Sequence, residues 1–562
     1  MRLKPGTIFI AGMLMTWSLA MAEAPIRIGA TMSESGHLST QGQAAANGYR
    51  LCEQHVNADG GLLGREIRFE ILDDQSDGDA AIALYEKLIV DHQVDAIMGP
   101  YGSTLTEAVA PVTEKHQMVH ISPLAATTSI WEQGREYLFM VLPPAELFLA
   151  GLIDLADQRG LERVAILTED VLFPRAAGSG AESLARESGM EVIFHEAYAT
   201  GSEDFSAWLE RLDEHDIDVL AMAASSLDDF ISVVEQMKAA DIRIEMFGTS
   251  GAVSQFAESL GNAADFSYGL SAWEPELDNP GIERFVDDYQ ARFDMAPSFH
   301  AAGAYGACQL FAKAVERTGS LESDDLRQAL LELETTTVFG PYAVDERGYQ
   351  VANQGLTIQW QHGEKAIVWP SEKAQAQSWY PTPSWSLRTS ELPPEQQVFW
   401  TRLERLCGQA FAGRVSDVTP YYASVAEAER LIMHVMDCSE DRLHIPLHVD
   451  DNRSRNWILT QVDGSLRLKH DHRYPDGHEE AISQYGGDAP VPGLPTRQIF
   501  PADEHTAEIL PERSDNFWFI DFIDENTLQY GVHWPRKGHS IRLEFDLGSP
   551  VQTPPRPWGY ED

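Results

Sequence analysis

Lysine, cysteine and long apolar runs are all scarce in this 562-residue chain. Only nine of the 41 basic residues are lysine, against 87 acidic residues, and the net charge is −46. A surface of that charge repels nucleic acid and anionic membranes, so neither is expected as a partner. No apolar run of 18 residues follows the N-terminal region, so the mature chain is not expected to span a membrane. The length predicts two or three globular units.

Motifs that carry catalysis or bind metal are also missing. The patterns GxSxG, HExxH and the P-loop do not occur, and no nucleophile–base spacing stands out, so the chain is not expected to be an enzyme. His470 and His472 are two apart on a predicted strand and share one face, as metal ligands can. The preferred explanation is a polar strand face that meets water or lines a barrel, and no cofactor or metal is predicted.

The four cysteines include no CxxC pair, which gives zinc and thiol-redox chemistry no support. Cys407 and Cys438 lie in one short segment and are a candidate disulfide. Cys52 and Cys308 each lie in a helical pattern that suits a buried thiol.

The first 22 residues have the pattern of a cleaved secretory signal. Arg2 and Lys4 precede an apolar stretch at residues 7–19, and AMA at residues 20–22 supplies the small-x-small cleavage pattern. We therefore expect an exported protein, and export permits disulfides.

Short apolar strands alternate with amphipathic helices from residue 26 onward. This alternation is typical of α/β proteins with parallel sheets covered on both faces. A break near residues 141–144 separates two such series and predicts two doubly wound lobes. Prolines and aromatic residues in residues 370–395 predict a linker or a strap lying over a surface.

The residues beyond the linker have a different pattern. Helix-like stretches around residues 396–411 and 424–436 precede five half-exposed strands. Residues 396–562 are therefore predicted to form a β-rich C-terminal domain, whose function the sequence does not indicate.

Five short motifs lie in the α/β region. They are VNADGGLLGR at residues 56–65, GPYGS at 99–103, ISP at 121–123, DFS at 204–206 and FGPY at 339–342. In their order and spacing, residues 25–369 resemble the branched-chain amino-acid (leucine/isoleucine/valine) binding family of periplasmic receptors. The resemblance implies a type I periplasmic-binding-protein fold for residues 23–369, with two lobes joined by three crossovers. Lobe 1 would comprise about residues 23–143 and 275–348, and lobe 2 about residues 144–274 and 349–369.

The resemblance also implies a function and a location. It implies a periplasmic substrate-binding protein of an ABC transporter, which holds an amino acid or a related small amide or carboxylate in an interlobe cleft and docks on a permease in the inner membrane. The alternative is a ligand-sensing or regulatory protein whose C-terminal domain reports lobe closure. This alternative is considered because an additional domain of that size is unusual for a simple transport receptor.

Two loops at predicted strand ends are candidates for binding the ligand's carboxylate. In open parallel sheets, ligands lie beyond the carboxyl ends of the strands, where helix N-termini point. Residues 98–104 and 122–128 are each predicted to leave a strand and begin a helix there. The candidate residues are Tyr101, Gly102 and Ser103 in the first loop and Ala125, Ala126 and Thr127 in the second. Simple helix capping by Ser103 and Thr127 is the alternative.

Further contacts carry over from the family by position. Gln41 falls at the first βα loop, and Phe173 and Ser225 fall at second-lobe aromatic positions. Two positions depart from the family, because Ser250 replaces an acidic partner for the ligand's ammonium and Ala126 replaces a threonine of the clamp.

The replacement of the family's acidic residue by Ser250 leaves two possibilities open, because burying an ammonium group without a carboxylate partner costs free energy. Either another acid replaces it, with Glu274, Asp228 and Asp170 as candidates, or the ligand is an amide, a urea-like compound or an aromatic acid. Trp273 is predicted either to stack on the ligand or to belong to the core.

Overall fold

The computed structural model describes residues 24–388, 390–419 and 427–560. The predicted signal at residues 1–22 lies outside the described residues. The chain divides into two compact units. Unit 1 comprises Met1–Ala125, Ser129–Leu142 and Pro275–Asn353, and unit 2 comprises Ala126–Thr128, Pro143–Glu274 and Gln354–Asp562.

Strands and helices alternate through the first 370 residues, as the sequence pattern predicts. The first series is β1 (Ile26–Met32), α1 (Ser39–Ala58), β2 (Ile67–Asp73), α2 (Gly78–Val90), β3 (Ala96–Met98), α3 (Ser103–Lys115), β4 (His120–Ser122) and β5 (Leu138–Met140). The second series is α4 (Ala150–Asp157), β6 (Arg163–Glu169), α5 (Leu172–Glu187), β7 (Glu191–Tyr198), α6 (Ser206–Glu214), β8 (Val219–Ala223), α7 (Leu227–Ala239), β9 (Met246–Thr249), α8 (Gln255–Leu260) and β10 (Tyr268–Ser271). They are followed by α9 (Ile282–Phe293), α10 (Phe299–Thr318), α11 (Ser323–Leu331), β11 (Thr335–Thr336), β12 (Pro341–Tyr342), β13 (Leu356–Gln361) and β14 (Glu364–Trp369).

Unit 1 is built on a parallel sheet with the strand order β2-β1-β3-β4-β5. Strands β3, β4 and β5 are buried along their whole length, as expected when helices cover both faces of a parallel sheet. Unit 2 has a larger sheet with the order β14-β13-β10-β9-β8-β6-β7, in which β13 and β14 form an antiparallel hairpin at one edge. The predicted α/β fold with doubly wound sheets is confirmed.

Helices α1 and α10 of unit 1 pack with their backbones in contact. A Cβ atom on Gly48 would lie only 2.2 Å from the carbonyl oxygen of Ala301, so only glycine fits there. A disulfide between Cys52 and Cys308 joins the same two helices. The prediction that these cysteines are buried thiols is therefore wrong. The helical pattern correctly places both on buried faces, but a separation of 256 residues hides their pairing.

The C-terminal region begins with helices and continues as strands. Its elements are α12 (Trp385–Arg388), α13 (Pro394–Glu404), β15 (Ala410–Val418), β16 (Leu431–His434), β17 (Asp437–Cys438), β18 (Arg442–Val449), β19 (Asn452–Val462), β20 (Ser465–His472), β21 (Tyr485–Asp488), β22 (Arg497–Pro501), α14 (Glu504–Ile509), β23 (Phe517–Asp524), β24 (Thr527–Trp534) and β25 (His539–Val551).

These strands form one antiparallel sheet in the order β21-β20-β19-β18-β16-β15-β25-β24-β23-β22, with β17 paired to β18. The sheet curls until its outer strands meet, and the backbone N–H of Asp503, just after β22, donates to the carbonyl of Gly486 in β21 at 2.9 Å. Apolar side chains such as Trp457, Trp518 and Phe545 fill the interior. The predicted β-rich domain is confirmed.

Two predicted helices differ from the structure. The helix-like stretch at residues 396–411 is helical only to Glu404, and Ala410 begins a strand. The helix expected at residues 424–436 is wrong where the structure describes it, because Leu431–His434 is strand β16, and residues 424–426 lie outside the described part. Leu431 and Met433 alternate toward the core, and so short an apolar run does not distinguish a strand from a helix.

The described part of residues 370–395 lies along the large sheet of unit 2. The indole Nε1 of Trp385 donates to the carbonyl of Ile242 at 2.8 Å, and the hydroxyls of Tyr268 and Ser378 are 2.6 Å apart. This segment, which we call the strap, therefore holds the β-rich domain on the rest of unit 2. Beyond it, Cys407 and Cys438, the candidate pair, are joined by a disulfide.

Candidate functional site

Buried polar side chains hold the loop between β3 and α3 in place. The imidazole Nε2 of His120 contacts the carbonyl oxygen of Gly99, and the hydroxyl of Tyr85 donates to the carbonyl of Met98 at 3.0 Å. Burial lowers the pKa of His120 to about 4, so this histidine is neutral near pH 7 and donates through Nε2. The loop is thus preorganised before any ligand binds.

Helix α3 begins at the exit of this loop, at the carboxyl end of the sheet. Its N-cap is Gly102, whose φ of 81° favours glycine and which has no side chain to cap the helix. The first N–H groups of a helix lack intrahelical partners and carry a partial positive charge. Ser103 is the first helical residue, not the cap, and is buried. The three predicted residues Tyr101, Gly102 and Ser103 therefore surround an uncapped helix N-terminus, which suits an anion.

Tyr101 connects this loop to two neighbouring segments of unit 1. It forms a parallel bridge with Leu124, which places it beside the second predicted loop. Its hydroxyl lies 3.5 Å from Nε2 of His300, at the start of α10. Burial lowers the pKa of His300 to about 3 and raises that of Tyr101, so both groups are neutral at pH 7.

The second predicted loop does not begin an α-helix, and that part of the prediction is wrong. Only a single 3₁₀ turn, Thr128–Ile130, follows Ser122 before β5. The segment has no apolar periodicity, Gly134 interrupts it with a φ of 73°, and Arg135 donates to the carbonyl of Ile130 at 2.8 Å. The three predicted residues of this loop are all buried, namely Ala125, Ala126 and Thr127. This loop therefore adds no helix dipole to the site.

Among the buried oxygen atoms of unit 1 that have no hydrogen-bond partner among the described residues, two lie near the carboxyl edge of the sheet. They are the hydroxyl of Ser122, at the carboxyl end of β4, and Oε1 of Gln41, in the first turn of α1. Strand β4 is the direct neighbour of β3. Buried polar groups are normally paired, so unpaired ones at the carboxyl edge of a sheet are expected at a ligand site. Gln41 was predicted from the family position, and Ser122 was not predicted as a site residue.

The predicted residues of unit 2 also lie at strand ends or helix starts. Phe173 is in the first turn of α5 and packs edge-on against Phe148, with ring centroids 5.0 Å apart. The hydroxyl of Ser250, just after β9, accepts the backbone N–H of Ala224 at 3.2 Å. Ser225 follows directly, so the structure brings Ser225 and Ser250 together.

Sequence reasoning missed Glu169, the last residue of β6. Its carboxylate is buried, and it accepts the backbone N–H of Ser225 at 2.8 Å and the hydroxyl of Thr200 at 2.7 Å. Nearby, the hydroxyl of Tyr198 donates to Asp229 at 2.7 Å, and burial raises the pKa of that carboxyl. Two acids thus share the carboxyl end of this sheet. The available signal was the position of Glu169, an acidic residue that ends an apolar strand.

The three acids proposed from sequence have other positions. Glu274 is buried and paired with Lys365, whose Nζ lies 2.6 Å from Oε1. Asp170 forms an ion pair with Arg175 at the surface, and Asp228 is exposed in the first turn of α7. Trp273 is 1% exposed. Among the described acids, Glu169 is therefore a better candidate for a cationic ligand group than any of these three.

The described residues show no helix long and apolar enough to cross a membrane. In the same residues, no group of three His, Cys, Asp or Glu side chains is arranged to hold a metal ion. Both nitrogens of His470 have partners, the carbonyl of Tyr485 at 3.0 Å and the hydroxyl of Tyr530 at 2.7 Å.

Comparisons with known proteins agree with this fold. Residues 25–365, more than half of the chain, match the family model described as periplasmic binding protein. Leu/Ile/Val-binding protein homolog 7 of Brucella suis biovar 1 is 22% identical over 377 residues, which are 63% of this chain and 94% of that protein. Homolog 8 of the same organism is 25% identical over 387 residues, which are 65% of this chain and 95% of that protein.

Solved structures give the same result for the fold. The branched-chain amino acid transporter substrate binding protein LivJ of Streptococcus pneumoniae, in complex with isoleucine, has a TM-score of 0.54 at 23% identity and covers 61% of this chain and 98% of its own. A solute binding protein of an ABC transporter from R. palustris, in complex with benzoate, has a TM-score of 0.55 at 20% identity and covers 61% of this chain and 96% of its own. The predicted resemblance to the branched-chain amino-acid binding proteins is thereby confirmed. The chain belongs to the periplasmic binding protein family.

Proposed function

We propose that this chain is the substrate-binding protein of an ABC transporter and that its ligand is an amino acid or a closely related small carboxylate. The observation that carries the proposal is the uncapped N-terminus of α3, on a loop held by buried side chains, beside a strand that ends in the unpaired hydroxyl of Ser122. The named relatives are Leu/Ile/Val-binding protein homologues, which favours transport over a regulatory role.

The carboxylate of the ligand would bind at the edge of unit 1. Backbone N–H groups of α3 and the hydroxyls of Ser103 and Ser122 would donate to its oxygens. Hydrogen bonds to a charged group contribute about 1.5–3 kcal/mol each. Since the loop is already fixed by His120 and Tyr85, little ordering entropy would be lost on binding.

A ligand that carries a charged amino group needs an anionic partner for it. The family's usual acid is replaced by Ser250, and Glu169 supplies a buried carboxylate whose two oxygens each accept one hydrogen bond in the described structure. A carboxylate oxygen can accept a second bond, so Glu169 retains capacity for a ligand ammonium. This favours amino acids over simple aromatic acids, although a family neighbour was solved with benzoate.

Location and partner follow from the same proposal. We infer that the chain is exported to the periplasm through the N-terminal signal and delivers its ligand to a permease in the inner membrane.

A thermal-shift screen of the exported chain against amino acids, amides and aromatic acids tests the ligand class. A ligand at 100 times its dissociation constant should stabilise the folded chain by about 2.7 kcal/mol. Ser103→Ala should weaken every carboxylate ligand, whereas Thr104→Ala, an exposed neighbour on the same turn, should have no effect. A failure of all three compound classes to shift the transition would contradict the proposal.

A further inference from the structure

The interior of the β-rich domain is apolar along most of its length and charged at one end. Strands β19 and β20 pair Trp457 with His470 and, two residues further, Arg455 with His472. Side chains two apart on a strand share a face, so Arg455 and His472 face the same interior as the core residue Trp457. His472 is the last residue of β20, which places both side chains in the outermost layer of the interior.

Helix α13 covers the opposite end of this interior. The side chain of Gln396 in α13 accepts the backbone N–H of Leu466, near the start of β20, at 3.1 Å, and Phe399 of the same helix belongs to the core. Arg455 and His472 lie at the far end of the same pair of strands. Small-molecule sites are common in the mouths of β-barrels, so this uncovered end is where a ligand site is expected.

A turn that follows α14 brings a second arginine to this end. The backbone N–H of Gly486 donates to the hydroxyl of Thr506 in α14 at 2.8 Å, which holds the helix on β21. The preceding residue, Tyr485, has its hydroxyl 3.0 Å from Nε2 of His472. The 3₁₀ turn Pro511–Arg513 comes directly after α14 and ends in that arginine.

The positive charges at this end have no acidic partner. Burial, Arg455 and Arg513 all lower the pKa of His472, to about 4, so both guanidinium groups lie near a neutral imidazole. Among the described acids, only Asp471 opposes them, and it faces the other side of β20, where it pairs with Arg473 at 2.9 Å. Neither Arg455 nor Arg513 forms an ion pair among the described residues. In a chain with 87 acidic and 41 basic residues, two neighbouring arginines without an acid indicate an anion site.

The donor groups at this end are open to solvent. Arg455, His472 and Arg513 are each half-buried. Only Nη1 of Arg455 is enclosed. Its other guanidinium nitrogens, Nδ1 of His472 and the whole guanidinium of Arg513 are neither enclosed nor paired among the described residues. An anion can therefore contact all three side chains from solvent.

We propose that this end of the β-rich domain is a second ligand site, independent of the proposed carboxylate site, and that it binds a phosphate group, either free or in a monoester. A guanidinium donates two parallel hydrogen bonds to phosphate oxygens, and its charge persists at every physiological pH. His472, whose Nε2 faces the Tyr485 hydroxyl, can donate from Nδ1. The donors thus come from three separate segments, which suits a tetrahedral anion with at least three oxygens.

Other ligand classes match these donors less well. A carboxylate has two oxygens, which a single guanidinium satisfies, so the second arginine would keep its charge without a partner. A cation would be repelled by both arginines. A nucleic-acid backbone carries phosphates, but the net charge of −46 repels so large a polyanion.

Equilibrium dialysis of the full chain against radiolabelled inorganic phosphate tests the site. We expect one phosphate per chain at this end, and we expect the dissociation constant to rise at least tenfold in Arg455→Gln and in Arg513→Gln, because each change removes a charged donor. The control Arg542→Gln makes the same change at an exposed position of β25 and should bind as the wild type does. No binding by the wild type, or equal binding by the wild type and both variants, would overturn the proposal.

Competition distinguishes the two sources of the phosphate group. Displacement of the bound phosphate by phenyl phosphate would assign the site to monoesters as well, and no displacement would restrict it to free phosphate. Benzoate should not compete. Displacement by benzoate as effective as that by phosphate itself would show that the site does not select a tetrahedral anion, and the proposal would fail.

Ser103→Ala separates this site from the proposed carboxylate site. This variant should bind phosphate as the wild type does, whatever its effect on carboxylate ligands. A loss of phosphate binding in Ser103→Ala, with unchanged binding in Arg513→Gln, would place the phosphate at α3 and overturn the proposal. Arg513→Gln changes a residue in a surface turn, so it keeps the test decisive if Arg455→Gln does not fold.

Discussion

The buried imidazole of His120 donates a hydrogen bond from Nε2 to the carbonyl oxygen of Gly99, where β3 passes into the loop that begins α3. His120 is fully buried, and burial lowers its pKa to about 4. The position of the proposed carboxylate loop therefore depends on a neutral histidine beneath it.

Acid should destabilise the chain partly through His120. An unfolded histidine has a pKa of about 6.5, so the unfolded state binds a proton first as the pH falls. Neutral His120 makes its full contribution to the free energy of unfolding above about pH 6.5. As the pH falls toward 4, that free energy decreases by at most about 3 kcal/mol. The thermal midpoint of His120→Gln, which keeps an N–H donor but does not titrate, should fall less between pH 7 and pH 4.5 than that of the wild type. Exposed His37→Gln is the control, and equal acid sensitivity of the His120 variant and the wild type would refute the argument.

Removal of the Glu169 charge should weaken the binding of ligands that carry an ammonium. In Glu169→Gln, the affinity for an amino acid found in the screen should fall at least tenfold, because a buried ammonium would lose its anionic partner. The affinity for the same molecule without its amino group should not change. Isothermal titration calorimetry measures both, with Asp170→Asn as the control at an exposed neighbour. Equal losses for the two ligands would assign Glu169 a structural role only, through its bond to Ser225.

The fold was predictable because its signals are local. Apolar strands alternate with amphipathic helices, and glycines in fixed motifs mark the turns. Strand β16 was not predictable in this way, since Leu431 and Met433 face the core in a run too short to show its period. The disulfide between Cys52 and Cys308 depends on the packing of α1 against α10, which no local pattern encodes.

Residues of the candidate site could be proposed from the sequence only where they directly follow a predicted strand. Tyr101, Gly102 and Ser103 could be proposed from the sequence because the loop motif and the predicted helix start are adjacent. Glu169 was missed because its partner Ser225 lies 56 residues away, and the neighbouring Asp170 has the same charge. In the sequence, Glu169 and Asp170 are two adjacent acidic residues with nothing to separate them. Only the structure distinguishes them, because Glu169 is buried and Asp170 is exposed.

Arg388 should be important for the attachment of the strap. Its buried guanidinium donates to the carbonyls of Ala263 and Asp265 and lies 4.0 Å from the ring centroid of Trp385. Arg388→Met keeps the chain length but leaves two acceptors without donors, at about 1–3 kcal/mol each. Urea denaturation should show this loss, and limited proteolysis should cut faster within residues 370–395. Exposed Arg414→Met, which breaks a surface pair with Glu544, should cost less than about 1 kcal/mol, and an equal loss in the two variants would contradict a special role for Arg388.

Two buried serines at the carboxyl end of the unit 1 sheet allow a matched comparison of structure and function. The hydroxyl of Ser33 donates to Asp74 at 2.6 Å, whereas the hydroxyl of Ser122 has no partner among the described residues. Ser33→Ala should destabilise the ligand-free chain by about 1–3 kcal/mol, because a buried carboxylate loses a donor.

Ser122→Ala removes an unpaired polar group and should leave the ligand-free chain as stable as the wild type, or up to about 1 kcal/mol more stable. The same change should reduce the affinity for a carboxylate ligand about tenfold, since the ligand loses one charge-assisted donor. Thermal unfolding with and without ligand measures both effects in each variant. A Ser122→Ala chain that is destabilised like Ser33→Ala, and that binds ligand as the wild type does, would show that Ser122 serves the fold and not the ligand.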